Sequence, residues 1–238
     1  MKRYDARFAR ISTLLASTAL SGLATAGELP QGGSVAHGTV GISTPSAGAM
    51  MIQQSSPSAI VNWQNFSIGQ NARVDITQPS EAAALLNRVT GSTPSTIAGQ
   101  LNANGQIYLV NPNGIAITPT GVVRAGAFVA STLGISDDDF KSGKRAFMGN
   151  GRSAAVVNEG TIEIGQGGYA ALLGGRVDNS GTVSVPLGKV GFGARRGRID
   201  TDLGAGAGQR FRDGEAYSLR RAGDEHAPAL KVRMKSVR

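Results

Sequence analysis

Short runs of apolar and β-branched residues recur along the centre of the chain, each of strand length and each bounded by Gly, Asn, Pro or Ser. Such runs are typical of β-strands. Two segments break the pattern. The first, SEAAALLNRV, predicts two helical turns after Ser80. The second, SDDDFKSGK, predicts a helix that Ser136 caps, with the three acids Asp137 to Asp139 in its first turn. The pattern as a whole predicts an all-β fold.

The last strand runs echo each other at a spacing of 21 residues. The echo superposes Asn158 on Asn179, Gly160 on Gly181, Thr161 on Thr182, Ile162 on Val183, Ile164 on Val185 and Gly167 on Gly188. A period near twenty with about three short strands suits one coil of a parallel β-helix, and the central segment has room for roughly eight such coils. An antiparallel sandwich, which also has evenly spaced strands, is the alternative. The echo favours the solenoid.

The residue inventory excludes several kinds of chemistry. The chain has no cysteine, so it has neither disulfides nor thiolate metal ligands, and its two histidines, His37 and His226, leave little for a zinc site or a Ser-His-Asp triad. A β-helical polysaccharide lyase or hydrolase is the enzyme alternative, but it needs paired carboxylates, and the central acids are scattered apart from Asp137 to Asp139. We therefore expect no enzyme activity, no metal and no cofactor.

The net charge of +8 is carried by the two ends of the chain. Residues 1–26 hold four basic side chains and one acidic one, residues 195–238 hold eleven and six, and residues 27–194 hold nine of each. The neutral centre shows no basic face, so we expect no nucleic-acid partner.

The two ends also differ from the centre in composition. Residues 1–26 combine a basic start, a short apolar run and Ala24-Thr25-Ala26, which together predict a signal peptide cleaved near Ala26. Residues 27–194 are the predicted β-helix domain. Residues 195–238 are rich in Arg, Gly, Asp and Ala, and this composition predicts a basic, weakly structured tail.

Four segments carry a family resemblance in their order and spacing: IVNWQNFSIGQNARVDITQPS, LLNRVTGSTPSTIAGQLNANGQIYLVNPNGIAIT, FVASTLGISDDDF and LLGGRVDNSGTVSV. Together they resemble the N-terminal secretion domain of two-partner-secretion exoproteins, the haemagglutination-activity domain of filamentous haemagglutinin-like and high-molecular-weight adhesins. The resemblance runs from about residue 33 to residue 193.

The resemblance implies a right-handed parallel β-helix with an N-terminal cap. It also implies export to the periplasm, recognition there by an outer-membrane β-barrel transporter with periplasmic polypeptide-binding domains, and translocation to the cell surface. A host-cell or carbohydrate receptor is a further partner to be expected of an adhesin. Because full-length relatives are much longer, we also expect a truncated or frameshifted exoprotein, or one whose adhesive part is encoded elsewhere.

The family's motifs map onto three groups of candidate partner-recognition residues. The N-W-x-x-F element matches Asn62, Trp63 and Phe66; the N-R-V-x-G element matches Asn87, Arg88, Val89 and Gly91; the NPNGI signature matches Asn111, Pro112, Asn113, Gly114 and Ile115.

Two interpretations stay open for the NPNGI signature. Pro112 fixes φ at about −65°, and Asn113 with Gly114 tolerates the conformations that follow in a tight turn, so turn chemistry alone explains the motif. Alternatively, the secretion partner binds the unfolded segment, for example by strand addition. Trp63 and Phe66 likewise either plug the N-terminal end of the solenoid or form a platform for a carbohydrate.

A stand-alone adhesive surface module is the alternative to a secretion domain. Deletion would distinguish them, because loss of an adhesive module abolishes attachment and leaves export intact.

Overall fold

The structure is a computed structural model that describes residues 28–149 and 154–194. The predicted signal peptide and the predicted C-terminal tail lie outside these residues. Strands account for most of the described chain: β1 (Ser34–His37), β2 (Val40–Ser46), β3 (Ala49–Gln54), β4 (Ser58–Trp63), β5 (Arg73–Thr77), β6 (Ala84–Val89), β7 (Ser95–Ile97), β8 (Gln100–Ala103), β9 (Gln106–Val110), β10 (Ile115–Ile117), β11 (Val122–Ala125), β12 (Ala127–Ser131), β13 (Ala155–Asn158), β14 (Thr161–Ile164), β15 (Tyr169–Gly174), β16 (Arg176–Asn179), β17 (Thr182–Ser184) and β18 (Lys189–Ala194). One helix, α1 (Asp137–Lys141), follows β12.

The strands form three sheets. Sheet 1 has the order β1-β4-β6-β9-β12-β15-β18, sheet 2 the order β17-β14-β11-β8-β5-β3-β2, and sheet 3 the order β16-β13-β10-β7. From β7 onward the chain visits sheet 3, sheet 2 and sheet 1 in turn, and neighbouring strands are parallel. The predicted parallel β-helix is confirmed, and the antiparallel sandwich is wrong.

The core is a set of ladders of inward-facing apolar side chains inside the coils. In sheet 2 one ladder runs through Met50, Val74, Leu101, Val123, Ile162 and Val183, which occupy equivalent positions on successive strands. All six side chains are buried. Each buried aliphatic side chain contributes roughly 1.5–3 kcal/mol relative to exposure, so each coil is stabilised mainly by its neighbours.

Antiparallel strands close the N-terminal end of the solenoid. β1 pairs with β4 at the edge of sheet 1, and β2 pairs with β3 at the edge of sheet 2. These strands satisfy backbone groups that would otherwise form an open edge. The predicted N-terminal cap is therefore present.

A segment that we call the strap, residues 132–149, leaves the solenoid between β12 and β13. The chain takes 21 residues from Gln106 to its neighbour Ala127, but 42 residues from Phe128 to its neighbour Ala170. The strap places Ile135, Phe140 and Phe147 in a second apolar cluster with residues of β4, β6, β9, β12 and β15. It therefore covers the outer face of sheet 1.

Helix α1 begins in the strap as its sequence predicts. Ser136 is the N-cap, and its Oγ accepts a hydrogen bond from the backbone N–H of Asp139 at 3.1 Å. The ammonium of Lys144 lies 3.0 Å from an Asp139 carboxylate oxygen. The hydrogen bonds from Lys144 and Ser136 lower the pKa of Asp139 below its ordinary value.

Three details of the expected architecture are wrong. SEAAALLNRV is not helical, since Ala84–Val89 is strand β6. Among the described residues, sheet 1 has six parallel strands rather than the roughly eight coils expected, because the cap and the strap use residues that would otherwise form coils. Thr161 pairs with Thr182 as the echo predicts, but Tyr169 pairs with Lys189, which places Gly168, not Gly167, beside Gly188.

Candidate partner-recognition site

The three family motifs meet at one corner of the solenoid. Asn62 pairs with Arg88 and Arg88 with Val110, so the motifs end three neighbouring strands of sheet 1 at the same level. The chain turns there toward sheet 3. We call residues 62–66, 87–91 and 111–115 the motif corner.

Buried aromatic side chains form the first level of the motif corner. Trp63 and Phe66 are 1% and 0% exposed, and their rings meet edge to face with centroids 5.5 Å apart. The cap packs against them, because a Cβ atom added at Gly33 would lie 2.7 Å from the Trp63 ring. Burial excludes both rings from stacking on a carbohydrate, and the position favours the plug.

Asn87 explains how a tryptophan can be buried at this level. The indole N–H of Trp63 donates a hydrogen bond to Asn87 Oδ1 at 3.0 Å, and Asn87 is fully buried. A buried indole N–H without a partner would be destabilising, so the two motifs are chemically linked. Val89 pairs with Trp63 across the sheet and completes the apolar surroundings.

Arg88 points to the opposite side of sheet 1 from Asn87. Its Nη2 donates a hydrogen bond to the backbone oxygen of Ile135 at 2.9 Å and lies 2.7 Å from an Asp137 carboxylate oxygen. Both partners belong to the strap. Arg88 thus holds the start of helix α1 against the second coil.

Gly91 is required by a close approach of two backbones. A Cβ atom at this position would lie 2.1 Å from the backbone oxygen of Gln64. The neighbouring Thr90 bonds the oxygen of Trp63 through both its N–H, at 2.8 Å, and its hydroxyl, at 3.0 Å. The turns after β4 and β6 therefore stack tightly.

The NPNG segment forms the predicted turn. The N–H of Gly114 donates to the oxygen of Asn111 at 3.2 Å, and the N–H of Asn113 donates to Asn111 Oδ1 at 2.9 Å. Gly114 has a φ of 126°, which other residues rarely adopt. Ile115 then enters β10, where it is buried between Ser95 and Val156.

The two asparagines of the signature connect this turn to the coil before it. Asn111 is fully buried, and its Nδ2 donates to the oxygen of Thr93 at 3.0 Å and to Ser95 Oγ at 2.9 Å. Asn113 Nδ2 donates to the oxygen of Gly91 at 2.8 Å. The folded corner thus satisfies the polar groups of the signature internally.

Only part of the motif corner is accessible after folding. Seven of the candidate residues are buried: Trp63, Phe66, Asn87, Val89, Asn111, Gly114 and Ile115. The other five are half-buried: Asn62, Arg88, Gly91, Pro112 and Asn113. The folded corner presents a small surface, and most of its side chains hold the first coils together.

Several residues that contact the motif side chains were not predicted from the sequence. Ser95, Thr93 and Gln64 lie near the motifs in sequence, but nothing in their pattern indicated a role. Asp137 was predicted as an acid in the first turn of a helix. Its ion pair with Arg88 was not predicted, because the two residues are too far apart in the sequence for a spacing rule to connect them.

In the part of the chain that the structure describes, no helix is long and apolar enough to span a membrane. In the same residues, no group of three His, Cys, Asp or Glu side chains is placed to hold a metal ion.

The family model of the TPS secretion domain matches residues 26–227. The chain belongs to this family. The secretion domain is also similar to the heme/hemopexin-binding protein of Haemophilus influenzae, with 36% identity over 67% of this chain and 18% of that protein. A shorter match, 33% identical over 38% of this chain and 2% of the relative, is to filamentous hemagglutinin of Bordetella pertussis.

A solved relative supports the fold of the secretion domain. The crystal structure of the HMW1 secretion domain from Haemophilus influenzae is 37% identical, with a TM-score of 0.66, over 69% of this chain and 44% of that one. The chain spans less than a fifth of the length of the curated relatives it matches. Proteins of this family are secreted across the outer membrane to the cell surface.

Proposed function

We propose that this chain directs its own export by two-partner secretion. A signal peptide takes it to the periplasm, an outer-membrane β-barrel transporter with periplasmic polypeptide-binding domains binds it there, and it folds as a β-helix at the cell surface. The match to the TPS secretion domain over residues 26–227 carries this proposal. The meeting of all three motifs at one corner supports it.

The transporter binds the motifs before they fold. Asn111 and Asn87 are fully buried in the finished corner, so a partner cannot reach them there. In the unfolded chain, residues 106–117 can add as a strand to the edge of a partner sheet. The same backbone groups pair with neighbouring coils in β9 and β10, so transporter binding and coil formation exclude each other. Folding outside the cell therefore releases the chain from its transporter.

The architecture suits transport as an unfolded chain. The sequence contains no cysteine, so no disulfide can close a loop before the chain crosses the outer membrane. Each parallel coil stacks on the one before it, which allows folding to proceed from the N-terminal end as the chain emerges. Coil formation then opposes return through the barrel.

Export of paired asparagine variants tests the proposal. Asn111→Ala with Asn113→Ala changes the signature, while Asn158→Ala with Asn179→Ala is the matched control. Both control residues are buried, as Asn111 is, and Asn158 Nδ2 donates to Asn179 Oδ1 at 2.7 Å, but the pair lies outside the motifs. Both double variants and the wild type are expressed with and without the cognate transporter, and the chain is measured in medium and periplasm. Urea unfolding of each purified variant gives its stability.

We expect transporter-dependent release of the wild type and of the control, and retention of the signature variant in the periplasm. If both double variants instead lose export equally, in proportion to their loss of stability, the signature acts only as a structural turn. Release of the wild type without any transporter would refute two-partner secretion.

Ligand binding by the relatives is not transferred to this chain. The match to the heme/hemopexin-binding protein covers 18% of that protein, so its named ligand is not part of our proposal. A host-cell or carbohydrate receptor stays a prediction. We propose a targeting role without catalysis, in keeping with the family.

A further inference from the structure

Asn113 and Gly114 of the NPNGI signature form an Asn-Gly pair, as do Asn104 and Asn150 with the glycines that follow them. An asparagine is most reactive before glycine, because glycine has no side chain to hinder attack by its backbone nitrogen on the asparagine amide. Asn111 precedes Pro112, which has no backbone N–H, so the same attack is closed to it. Within the signature, Asn113 is therefore the reactive asparagine.

The folded corner engages both reacting groups of this pair. Asn113 Nδ2 donates to the oxygen of Gly91 at 2.8 Å and to Asn111 Oδ1 at 3.0 Å. The attacking nitrogen would be that of Gly114, whose N–H donates to the oxygen of Asn111 at 3.2 Å. Both groups must leave these partners before they can react, which requires local opening of the corner. Folding thus protects Asn113.

The unfolded chain lacks these bonds. Gly114 is then free to sample the conformations that bring its nitrogen to the Asn113 side chain. A chain that waits in the periplasm for its transporter exposes Asn113 for as long as it stays unfolded. This consequence for export rests on the proposed function, whereas the chemistry of the pair does not.

We propose that Asn113 is a modification site of the unfolded chain, where it is converted to aspartate or isoaspartate, and that a converted chain cannot close the motif corner. The Gly114 nitrogen loses its proton and bonds to Asn113 Cγ, while the Cγ–Nδ2 bond breaks and ammonia leaves with that proton. Water then opens the cyclic imide at either carbonyl, which gives aspartate or isoaspartate. The reaction consumes water, releases ammonia and involves no oxidation or reduction.

Both products conflict with the contacts of the folded corner. An aspartate at position 113 has only acceptor oxygens, so the two donated bonds become contacts between oxygen atoms. Position 113 is half-buried, so the new charge is also partly removed from water. Isoaspartate lengthens the backbone just before Gly114, within the turn that the bond from Gly114 to Asn111 closes. The signature therefore limits how long the unfolded chain can still fold.

Timed incubation of the purified chain tests the conversion. One sample is folded and one is unfolded in guanidinium chloride, both at mildly alkaline pH, and a third is unfolded at mildly acidic pH, which slows loss of the backbone proton. Peptide mass spectrometry follows position 113 over time. We expect conversion in the unfolded alkaline sample to be at least about tenfold faster than in the folded sample, where opening limits it. Asn111 should stay unchanged in all three samples.

Refolding of the partly converted sample tests whether conversion prevents closure. The sample is diluted out of denaturant, and size-exclusion chromatography separates refolded chains from the remainder. We expect asparagine at position 113 in the refolded fraction and both products in the remainder. Because position 113 is measured in each fraction of one sample, conversion at Asn104 or Asn150 does not confuse the comparison.

A pair of variants isolates the effect of the new carboxylate. Asn113→Asp reproduces one product, and Asn71→Asp makes the same change at an exposed position. We expect Asn113→Asp to unfold at a lower urea concentration than the wild type, and Asn71→Asp to unfold with the wild type.

Absence of conversion in the unfolded chain would overturn the modification site. Equal rates in the folded and unfolded samples would overturn protection by the corner. Equal conversion in the two chromatographic fractions, or equal unfolding midpoints of the two variants, would overturn the block to folding. No transporter takes part in these experiments, so they and the export experiment can fail independently.

Discussion

At the scale of single residues, the motif corner depends on how closely two turns approach at Gly91. A Cβ atom there would lie 2.1 Å from the Gln64 backbone oxygen, and a backbone atom cannot yield as a flexible side chain can. We predict that Gly91→Ala lowers the free energy of unfolding by about 2–3 kcal/mol or more, since overpacking at a rigid contact has this cost. Urea unfolding of the purified chain measures the change.

Gly41 provides the matched control for Gly91. It also lies near the N-terminal end, but a Cβ atom added there would have open space around it, and its φ is not in the left-handed region. Gly41→Ala should therefore change stability by no more than about 0.5 kcal/mol. Similar losses in both variants would contradict the close approach at Gly91.

The residue types of the motifs were predictable from the sequence, but their contacts were not. The turn at Asn111 to Gly114 follows from proline and glycine chemistry, and it is confirmed. The bond between Trp63 and Asn87 could not be predicted, because it depends on the register of β4 against β6. Whether any of these residues is bound by a partner stays a prediction.

At the scale of elements, the strap has a core of its own and should open independently of the solenoid. Phe140 is 1% exposed in the outer cluster, whereas Phe128 is 0% exposed in the inner core. We predict that Phe140→Ala raises hydrogen exchange in residues 132–149 and leaves β9 and β12 protected, because local opening exposes only the strap. Hydrogen exchange followed by mass spectrometry resolves the two regions.

Phe128→Ala is the control, since it removes the same side chain from the other side of sheet 1. We expect it to lower the stability of the whole solenoid by about 3–5 kcal/mol, the usual range for a buried phenylalanine. Loss of protection throughout the solenoid in the Phe140 variant would show that the strap and the coils unfold together.

The strap also explains why two helical turns were wrongly predicted for SEAAALLNRV after Ser80, where Ala84–Val89 is strand β6. Leu85 faces the inner core and Leu86 faces the cluster beneath the strap, so both faces of β6 are buried. A strand buried on both faces has a continuous apolar run, which periodicity cannot distinguish from a buried helix. To recognise β6 as a strand from its sequence, one would have had to predict that the strap covers its outer face.

At the scale of the whole molecule, the echo predicted the solenoid because each coil repeats the same environment. Asn158 and Asn179 stack as expected, and so do Ile162 and Val183. The number of coils was not predictable, because the cap and the strap interrupt the period with local contacts that do not repeat. The register slips by one residue at Gly168, because the chain advances seven residues from Thr182 to Lys189 but eight from Thr161 to Tyr169, to which they pair.

A stack of coils should respond to the same lesion according to its position. Val123 and Val183 belong to one inward ladder of sheet 2, where β11 has a neighbour on each side and β17 pairs only with β14 among the described strands. Replacing either valine by alanine removes about 1.6 kcal/mol of the free energy gained by burying its side chain.

In a stack held by nearest neighbours, we expect Val123→Ala to lower the stability of the whole solenoid. Val183→Ala should mainly increase hydrogen exchange in β16, β17 and β18. Uniform loss of protection in both variants would show instead that the solenoid unfolds as a single unit, and stepwise folding during export would then lack its physical basis.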